Sequence, residues 1–139
     1  MDTKIKNLDG QELKLSEIIT ENNTPVVISF WATWCKPCIE ELEVINEELE
    51  DWQSDYDFKF IAISIDDTRS VSKVAPFVNA RDWEFEVYLD ENSDLKRAMN
   101  FIRVPFTCII LNNKIIYRKS GHTKGSEYEI IEQIKKINQ

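Results

Sequence analysis

The order of apolar and polar residues predicts a chain in which short strands and amphipathic helices follow one another. Short continuous runs of β-branched and aromatic residues are typical of strands, whereas apolar residues that recur every three or four positions are typical of helices. Both kinds of run occur along the chain, which favours an α/β fold. The predicted strands cover residues 5–8, 12–15, 26–30, 58–65, 86–89, 107–111 and 114–118, and the predicted helices cover residues 16–19 and 68–80 and begin near residues 36, 93 and 126.

Three local features refine this outline. Asn112-Asn113 predicts a tight hairpin between the last two strands, because asparagine tolerates the left-handed backbone that such a turn needs. Residues 21–25 predict a polar loop before the third strand. The helix that begins near residue 93 is expected to pack through Leu95, Met99 and Ile102.

Trp31-Ala32-Thr33-Trp34-Cys35-Lys36-Pro37-Cys38 is the stretch with the most chemical content. It lies between a buried apolar strand and a helix, so the two cysteines occupy a strand-to-helix junction. Two thiols separated by two residues suit either thiol–disulfide exchange or half of a zinc site. The apolar stripe of the following helix consists of Cys38, Leu42, Ile45, Leu49 and Trp52.

The junction predicts different roles for the two cysteines. The first turn of a helix presents unpaired N–H groups and a partial positive charge, which stabilise a thiolate at Cys35. Lys36 adds a positive charge, and Pro37 fits a first turn because its missing N–H has no partner to lose there. Cys38 lies on the buried stripe, so we expect it to be covered while Cys35 is exposed. Cys35 is therefore predicted to attack and Cys38 to resolve.

Composition limits the other classes of function. A length of 139 residues with 42% hydrophobic residues suits a single domain, residues 1–139, with one core. The formal net charge of −8 disfavours nucleic acid as a partner. No apolar run approaches the ~18 residues of a transmembrane helix, and the first residues are polar, unlike a signal peptide.

Two segments of the chain resemble one family. Phe30-Trp31-Ala32-Thr33-Trp34-Cys35 followed by Pro37-Cys38 is similar to the TlpA/ResA-like thiol–disulfide oxidoreductases of the thioredoxin superfamily. Val104-Pro105-Phe106-Thr107 resembles the second active-site segment of that family. The resemblance implies a thioredoxin-like three-layer α/β/α sandwich with a central mixed sheet, an N-terminal β-hairpin and an inserted helix and strand.

The resemblance also implies an activity. It indicates a thiol–disulfide oxidoreductase that acts on protein disulfides, as a reductant, with a disulfide-donating oxidant as the alternative. No cofactor beyond the redox-active Cys35–Cys38 pair is expected, and the partners would be protein thiol or disulfide substrates and an upstream thiol reductant. We expect a monomer that works in the periplasm or elsewhere outside the cytoplasm, in cytochrome c maturation or other thiol reduction. A cytoplasmic protein is the alternative.

The expected site residues divide into two groups. Glu41 stands three positions after Cys38 and about 60° away on the helical wheel, where a carboxylate is associated with this family's active site. It is expected to accept the proton of Cys38, with an ordinary surface glutamate as the alternative. Pro105 corresponds to the family's cis-proline, which leaves the backbone of Val104 free to bind an extended substrate. The catalytic residues are then Cys35, Cys38 and Glu41, and the substrate-binding residues are Trp34, Lys36, Pro37, Val104 and Pro105.

The chain departs from its relatives at three positions. Ser29 stands six residues before Cys35, where many thioredoxins carry a buried acid. Glu43 stands where many relatives have a proline, so the helix is expected to be less kinked. Phe106 is bulkier than the residue usually found after the cis-proline, which predicts altered substrate access.

Three rival functions stay open at this point: a zinc module, a thiol peroxidase of the peroxiredoxin type and a copper-handling protein. The zinc module would require Cys108 and His122 to converge on the cysteine pair. We instead predict that Cys108 packs as a small hydrophobe and that His122 faces solvent from its loop. Acidic residues at strand ends, Asp66 among them, are interpreted as turn and cap residues.

Overall fold

The computed structural model describes residues 2–19 and 23–139. Residues 21 and 22 of the predicted polar loop therefore lie outside the described residues. The strands are β1 (Lys4–Asn7), β2 (Glu12–Lys14), β3 (Val26–Trp31), β4 (Lys59–Ser64), β5 (Glu86–Leu89), β6 (Phe106–Leu111) and β7 (Lys114–Ser120), and they form one sheet in the order β2-β1-β5-β4-β3-β6-β7. The helices are α1 (Lys36–Asp55), α2 (Val74–Ala80), α3 (Asp94–Met99) and α4 (Tyr128–Ile137), and short 3-10 turns occupy Leu15–Glu17 and Val71–Lys73.

Strand β3 is the centre of the sheet. All six of its residues are buried, as its continuous apolar run predicts. It pairs in parallel with β4 and antiparallel with β6, so the predicted mixed sheet is confirmed. The last residue of β3, Trp31, is fully buried and packs against Phe77 and Trp83. The strand that leads into the cysteine motif is therefore buried and paired along both edges.

Helices cover both faces of the sheet. The side chain of Lys119 in β7 contacts Glu41 in α1, whereas the neighbouring Arg118 donates a hydrogen bond to the carbonyl of Met99 in α3. Successive side chains of a strand point to opposite faces, so α1 and α3 lie on opposite sides of the sheet. The three-layer α/β/α arrangement predicted from the resemblance is confirmed.

The N-terminal hairpin and the insertion are also present as predicted. Strands β1 and β2 pair antiparallel, and β1 joins the sheet through β5, which runs parallel to β4. The 3-10 turn Val71–Lys73 and helix α2 connect β4 to β5. The chain thus adds a strand and a helix beside the central strands, while the cysteine motif stays at the end of β3.

Two local predictions have different outcomes. The hairpin at Asn112-Asn113 is confirmed, because both residues have positive φ values of 50° and 66°. The extension of helix α3 to Ile102 is wrong. The helix ends at Met99 because Asn100 adopts a left-handed conformation with φ of 57°, and Ile102 is 83% exposed beyond it.

Candidate active site

The cysteine pair lies where β3 gives way to α1, as predicted. Cys35 and Cys38 form a disulfide, and their Cα atoms are 5.3 Å apart. Cys35 is the N-cap of α1, and the backbone N–H of Cys38 donates a hydrogen bond of 3.3 Å to the Cys35 sulfur. Pro37 stands in the first turn, where no intrahelical N–H is required. The sulfur of Cys35 therefore faces the N–H groups that stabilise a thiolate.

The expected contrast in exposure between the two cysteines is wrong for this disulfide form. Cys35 is 6% exposed and Cys38 is 1% exposed, so both are buried. Cys35 is covered because it is the N-cap of α1 and its sulfur is bonded to that of the buried Cys38. The residues next to Cys35 in the chain are exposed instead. Trp34 is 65% exposed, and Lys36 and Pro37 are also exposed.

Asp66 anchors the turn that carries the motif. Its carboxylate accepts hydrogen bonds from the N–H of Thr33 at 3.0 Å and from the Thr33 hydroxyl at 2.6 Å. The hydroxyls of Ser64 and Ser70 donate to the same carboxylate at 2.6 and 2.7 Å. Asp66 is fully buried, so it is more than the turn residue that its strand-end position indicates. It joins the end of β4 to the turn before Cys35.

Glu41 lies on the buried side of α1, one turn after Cys38. It is fully buried, which is deeper than its position beside the apolar stripe indicates. The Lys119 ammonium donates a hydrogen bond of 2.9 Å to one carboxylate oxygen, and the Thr107 hydroxyl donates one of 3.4 Å to the other. Glu41 and Cys38 stand three residues apart on one helix, so the helical geometry brings the carboxylate close to the resolving cysteine.

Lys119 is the site residue that the sequence did not reveal. The predicted last strand stops at residue 118, whereas β7 continues to Ser120, and the extra residues place Lys119 opposite Thr107. Thr107 in turn lies opposite Ser29, so the three residues form one row across three strands. The hydroxyl of Ser29 is buried and has no hydrogen-bond partner within the described part of the chain.

The second segment lies beside the motif as predicted. The Val104–Pro105 peptide bond is cis, and a groove of about 730 Å³ is lined by Val104, Pro105, Pro37 and His122. Among the described residues, neither the N–H nor the C=O of Val104 takes part in a hydrogen bond. The backbone of Val104 is thus free to pair with another chain.

Exposed apolar and cationic side chains occur in the groove and in the motif. Ile102, which is 83% exposed, and Arg103 line the groove. Trp34, which is 65% exposed, and the exposed Lys36 flank Cys35 in the sequence. Phe106, which the sequence places near the substrate, is only 2% exposed and stacks on Phe101 with ring centroids 4.4 Å apart. Most of the Phe106 side chain therefore packs in the core.

The prediction that His122 faces solvent is wrong. Its side chain is 6% exposed, and Nε2 lies 2.6 Å from a carboxylate oxygen of Glu127, which is also buried. The chain can bury this histidine because the following helix supplies an acidic partner five residues later. His122 also lines the groove, so this buried pair forms part of its wall.

The prediction that Cys108 packs as a small hydrophobe is confirmed. It is a free cysteine with no exposed surface, and burial raises the pKa of its thiol to about 12. Within residues 2–19 and 23–139 no group of three or more histidine, cysteine, aspartate or glutamate residues is arranged to hold a metal ion. Over the same residues, no helix combines the length and apolar character needed to cross a membrane.

Comparisons with known proteins agree with this geometry. The sequence profile of the AhpC/TSA family matches residues 1–122. The chain is 28% identical over 134 residues to the thiol–disulfide oxidoreductase ResA of Bacillus thuringiensis subsp. konkukian, covering 96% of this chain and 73% of that protein.

Solved structures show the same fold. An uncharacterised thioredoxin-like protein from Porphyromonas gingivalis is 38% identical, with a TM-score of 0.84 over 99% of this chain and 90% of that one. StoA from Bacillus subtilis is 21% identical, with a TM-score of 0.72 over 94% of this chain and 93% of that one. The chain therefore belongs to the AhpC/TSA family and is a TlpA/ResA-like member of the thioredoxin superfamily.

Proposed function

We propose that this thiol–disulfide oxidoreductase reduces disulfide bonds in other proteins. The observation that carries the proposal is the Cys35–Cys38 disulfide at the N-terminus of α1, beside a groove with a free backbone segment. The helix N-terminus stabilises a thiolate at Cys35, and the thiolate is the form that attacks a disulfide. Cys38 is held three residues away, in position to close the protein disulfide.

The reaction proceeds in two exchanges. The Cys35 thiolate attacks one sulfur of the substrate disulfide, a mixed disulfide forms, and the other substrate sulfur leaves with the electron pair. Cys38 then attacks Cys35, the Cys35–Cys38 bond forms, and the second substrate sulfur leaves. Two electrons pass from the protein dithiol to the substrate, which becomes a dithiol.

Glu41 acts as the proton acceptor of the second exchange. Cys38 must lose its proton to attack, and it is almost completely shielded from water. A carboxylate one helical turn away can take that proton inside the protein. Its contacts with Lys119 and Thr107 hold the carboxylate against the sheet.

The substrate binds as an extended segment along the groove. The N–H and C=O of Val104, which make no hydrogen bond within the described part of the chain, bind the substrate backbone, as a strand added at an edge. Pro105 and Pro37 line the groove beside the disulfide, and Trp34 and Lys36 present an exposed ring and a positive charge to the substrate. Recognition through the backbone favours proteins whose disulfide lies in an accessible, extended segment.

The cellular setting follows from the family alone. We propose that an upstream thiol reductant regenerates the dithiol, that no cofactor other than the cysteine pair is needed, and that the protein acts as a monomer. By its resemblance to TlpA/ResA-like proteins, we place it outside the cytoplasm, in cytochrome c maturation or another thiol-reducing process.

Turnover of a protein disulfide tests this function. We expect the wild-type chain, supplied with a dithiol, to accelerate the reduction of insulin disulfides, and Cys35→Ser to abolish the acceleration. Cys38→Ser should form a mixed disulfide with the substrate and stop there. Equal rates with and without the wild-type chain would overturn the proposal, and rapid peroxide turnover in place of disulfide reduction would favour a thiol peroxidase.

A further inference from the structure

We propose that Lys119 is a positioning residue for proton transfer from Cys38 to Glu41: its ammonium compensates the charge of the buried carboxylate and fixes it against the sheet. The inference rests on the proposed function, in which Glu41 accepts the proton of Cys38. The inference adds Lys119, which lies 78 positions after Glu41 in the sequence, to the residues of the site.

The burial of Glu41 creates the need for a counter-charge. An ionised carboxylate with no exposed surface is strongly disfavoured unless a cation and hydrogen-bond donors compensate for its lost hydration. Lys119 supplies the only ion pair to Glu41 among the described residues, with its Nζ 2.9 Å from the carboxylate and its side chain 9% exposed. Thr107 adds a neutral donor at 3.4 Å. Lys119 thus provides the charge and Thr107 helps with orientation.

The register of the sheet sets this geometry. Ser29 of β3 lies opposite Thr107 of β6, and Thr107 lies opposite Lys119 of β7. Residues directly opposite each other project from the same face, and the contacts to Glu41 identify it as the face that α1 covers. The row holds two hydroxyls and one ammonium but no carboxylate. The acid therefore comes from α1, and its counter-charge comes from the sheet.

The proton transfer depends on the ionised form of Glu41. When Cys38 attacks the mixed disulfide, its proton passes to the Glu41 carboxylate and the Cys35–Cys38 bond forms. The bond between Cys35 and the substrate sulfur breaks, and that sulfur leaves as a thiolate. A Glu41 that already carries a proton cannot take part. Without Lys119, the buried carboxylate loses its compensating charge, and we expect the step to require a higher pH.

The other groups around Glu41 do not replace Lys119. Tyr117, two residues earlier on β7, faces the same side of the sheet, and its hydroxyl lies 3.5 Å from Glu129 of α4. Burial first, and then the negative charges of Glu129 and Glu41, raise the pKa of Tyr117, so its phenol stays neutral over the pH range of the test. Cys38, three residues before Glu41 on α1, is the titratable group whose proton the step transfers.

The test follows the resolving step itself. Reduced protein is mixed with an excess of Ellman's reagent, which releases one coloured thiolate when Cys35 attacks and a second when Cys38 closes the disulfide. The second phase does not depend on reagent concentration, so its rate isolates the step in which Cys38 loses its proton. We would measure this rate from about pH 5 to about pH 9.

Three substitutions separate charge from packing. Lys119→Met removes charge and donor, Lys119→Gln keeps a donor without charge, and Lys119→Arg keeps the charge. We expect both neutral variants to move the acid limb of the profile to higher pH, with resolution at least about tenfold slower near pH 6. Above pH 8 their rates should stay within about threefold of wild type, and Lys119→Arg should follow the wild-type profile. Lys114→Met, an exposed lysine of the same strand, is the matched control.

The outcomes distinguish failure of the role of Lys119 from failure of the proposed disulfide reduction. An unchanged profile in the neutral variants, a uniform loss of rate at every pH, or equal behaviour of Lys119→Arg and Lys119→Met would overturn the role of Lys119. In the Glu41→Gln background, Lys119→Met should change the rate of the second phase by less than about threefold at each pH, because no carboxylate remains for the lysine to position. Lys119→Gln serves where thermal melting shows that Lys119→Met does not fold. A wild-type protein without a second phase would instead refute the proposed function.

Discussion

Removal of the Asp66 carboxylate should destabilise the protein more than any exposed acidic substitution. The carboxylate is fully buried and accepts four hydrogen bonds, from Thr33 twice and from Ser64 and Ser70. Hydrogen bonds to a charged group contribute about 1.5–3 kcal/mol each, and they do not add fully because the hydroxyls can reorient. We expect Asp66→Ala to lower the free energy of unfolding by about 3–5 kcal/mol.

The assay is urea denaturation of the oxidised protein, followed by circular dichroism. With an m-value of about 2 kcal/mol/M, the predicted loss lowers the midpoint by about 2 M. Asp67→Asn is the control, because Asp67 is the next residue but its side chain is 45% exposed and, among the described residues, contacts Arg69 alone; its midpoint should match wild type. If Asp66→Ala and Asp67→Asn unfolded at the same urea concentration, the anchoring role of Asp66 would be refuted.

Three further predictions concern other parts of the structure. His122→Ala should lower stability by about 2–4 kcal/mol, because it leaves Glu127 buried without its partner; urea denaturation measures the loss. Cys108 should resist alkylation in the folded, reduced protein near pH 8, since burial raises its pKa to about 12; mass spectrometry counts the adducts. Trp34→Ala and Ile102→Ala should each raise KM for a protein disulfide by about fivefold or more without slowing the reaction with Ellman's reagent, because both side chains are exposed, Ile102 in the groove and Trp34 next to Cys35 in the sequence.

Each of these predictions has its own control and contrary outcome. The double variant His122→Ala, Glu127→Gln should recover part of the lost stability; a single variant as stable as wild type would contradict the buried pair. Alkylation of all three cysteines in the folded, reduced protein would contradict the shielding of Cys108. Ile116→Ala, an exposed apolar residue outside the groove, should leave KM unchanged, and an equal rise in KM would remove the argument for the groove.

Burial of Cys108 also predicts a pH dependence of stability. An unfolded thiol loses its proton near pH 8.5, whereas the folded one keeps it until pH approaches 12. The folded state therefore binds more protons than the unfolded state above about pH 8.5, and the stability falls as pH rises through that window. Cys108→Ala should remove this contribution to the alkaline slope of unfolding free energy.

The sequence predicts the elements whose buried residues follow one another in a local apolar pattern. The apolar run of β3 and the stripe that begins at Cys38 are continuous in the chain, so the strand-to-helix junction follows directly. The sequence predicts a longer helix α3 because Met99 and Ile102 fit one periodic stripe, whereas Asn100 ends the helix by its backbone conformation. Periodicity carries no information about that competing local preference.

The contacts around Glu41, His122 and Asp66 could not be predicted in the same way. Each of these polar side chains is buried by a partner that comes from another element or from the far end of a loop. Lys119 reaches Glu41 only through the pairing register of β6 and β7, and that register is set by contacts between strands. Single-sequence patterns indicate which residues favour burial, but the compensation of a buried charge is a property of the assembled structure.

The reduction potential of the Cys35–Cys38 pair is the most direct test of the central claim that the protein is a reductant. Protein equilibrated in buffers of defined thiol and disulfide ratio, followed by trapping of free thiols, yields this value. We predict a potential of about −250 mV or lower, typical of proteins that reduce disulfides. A potential of about −120 mV would contradict the account, because the pair would then donate its disulfide to substrates.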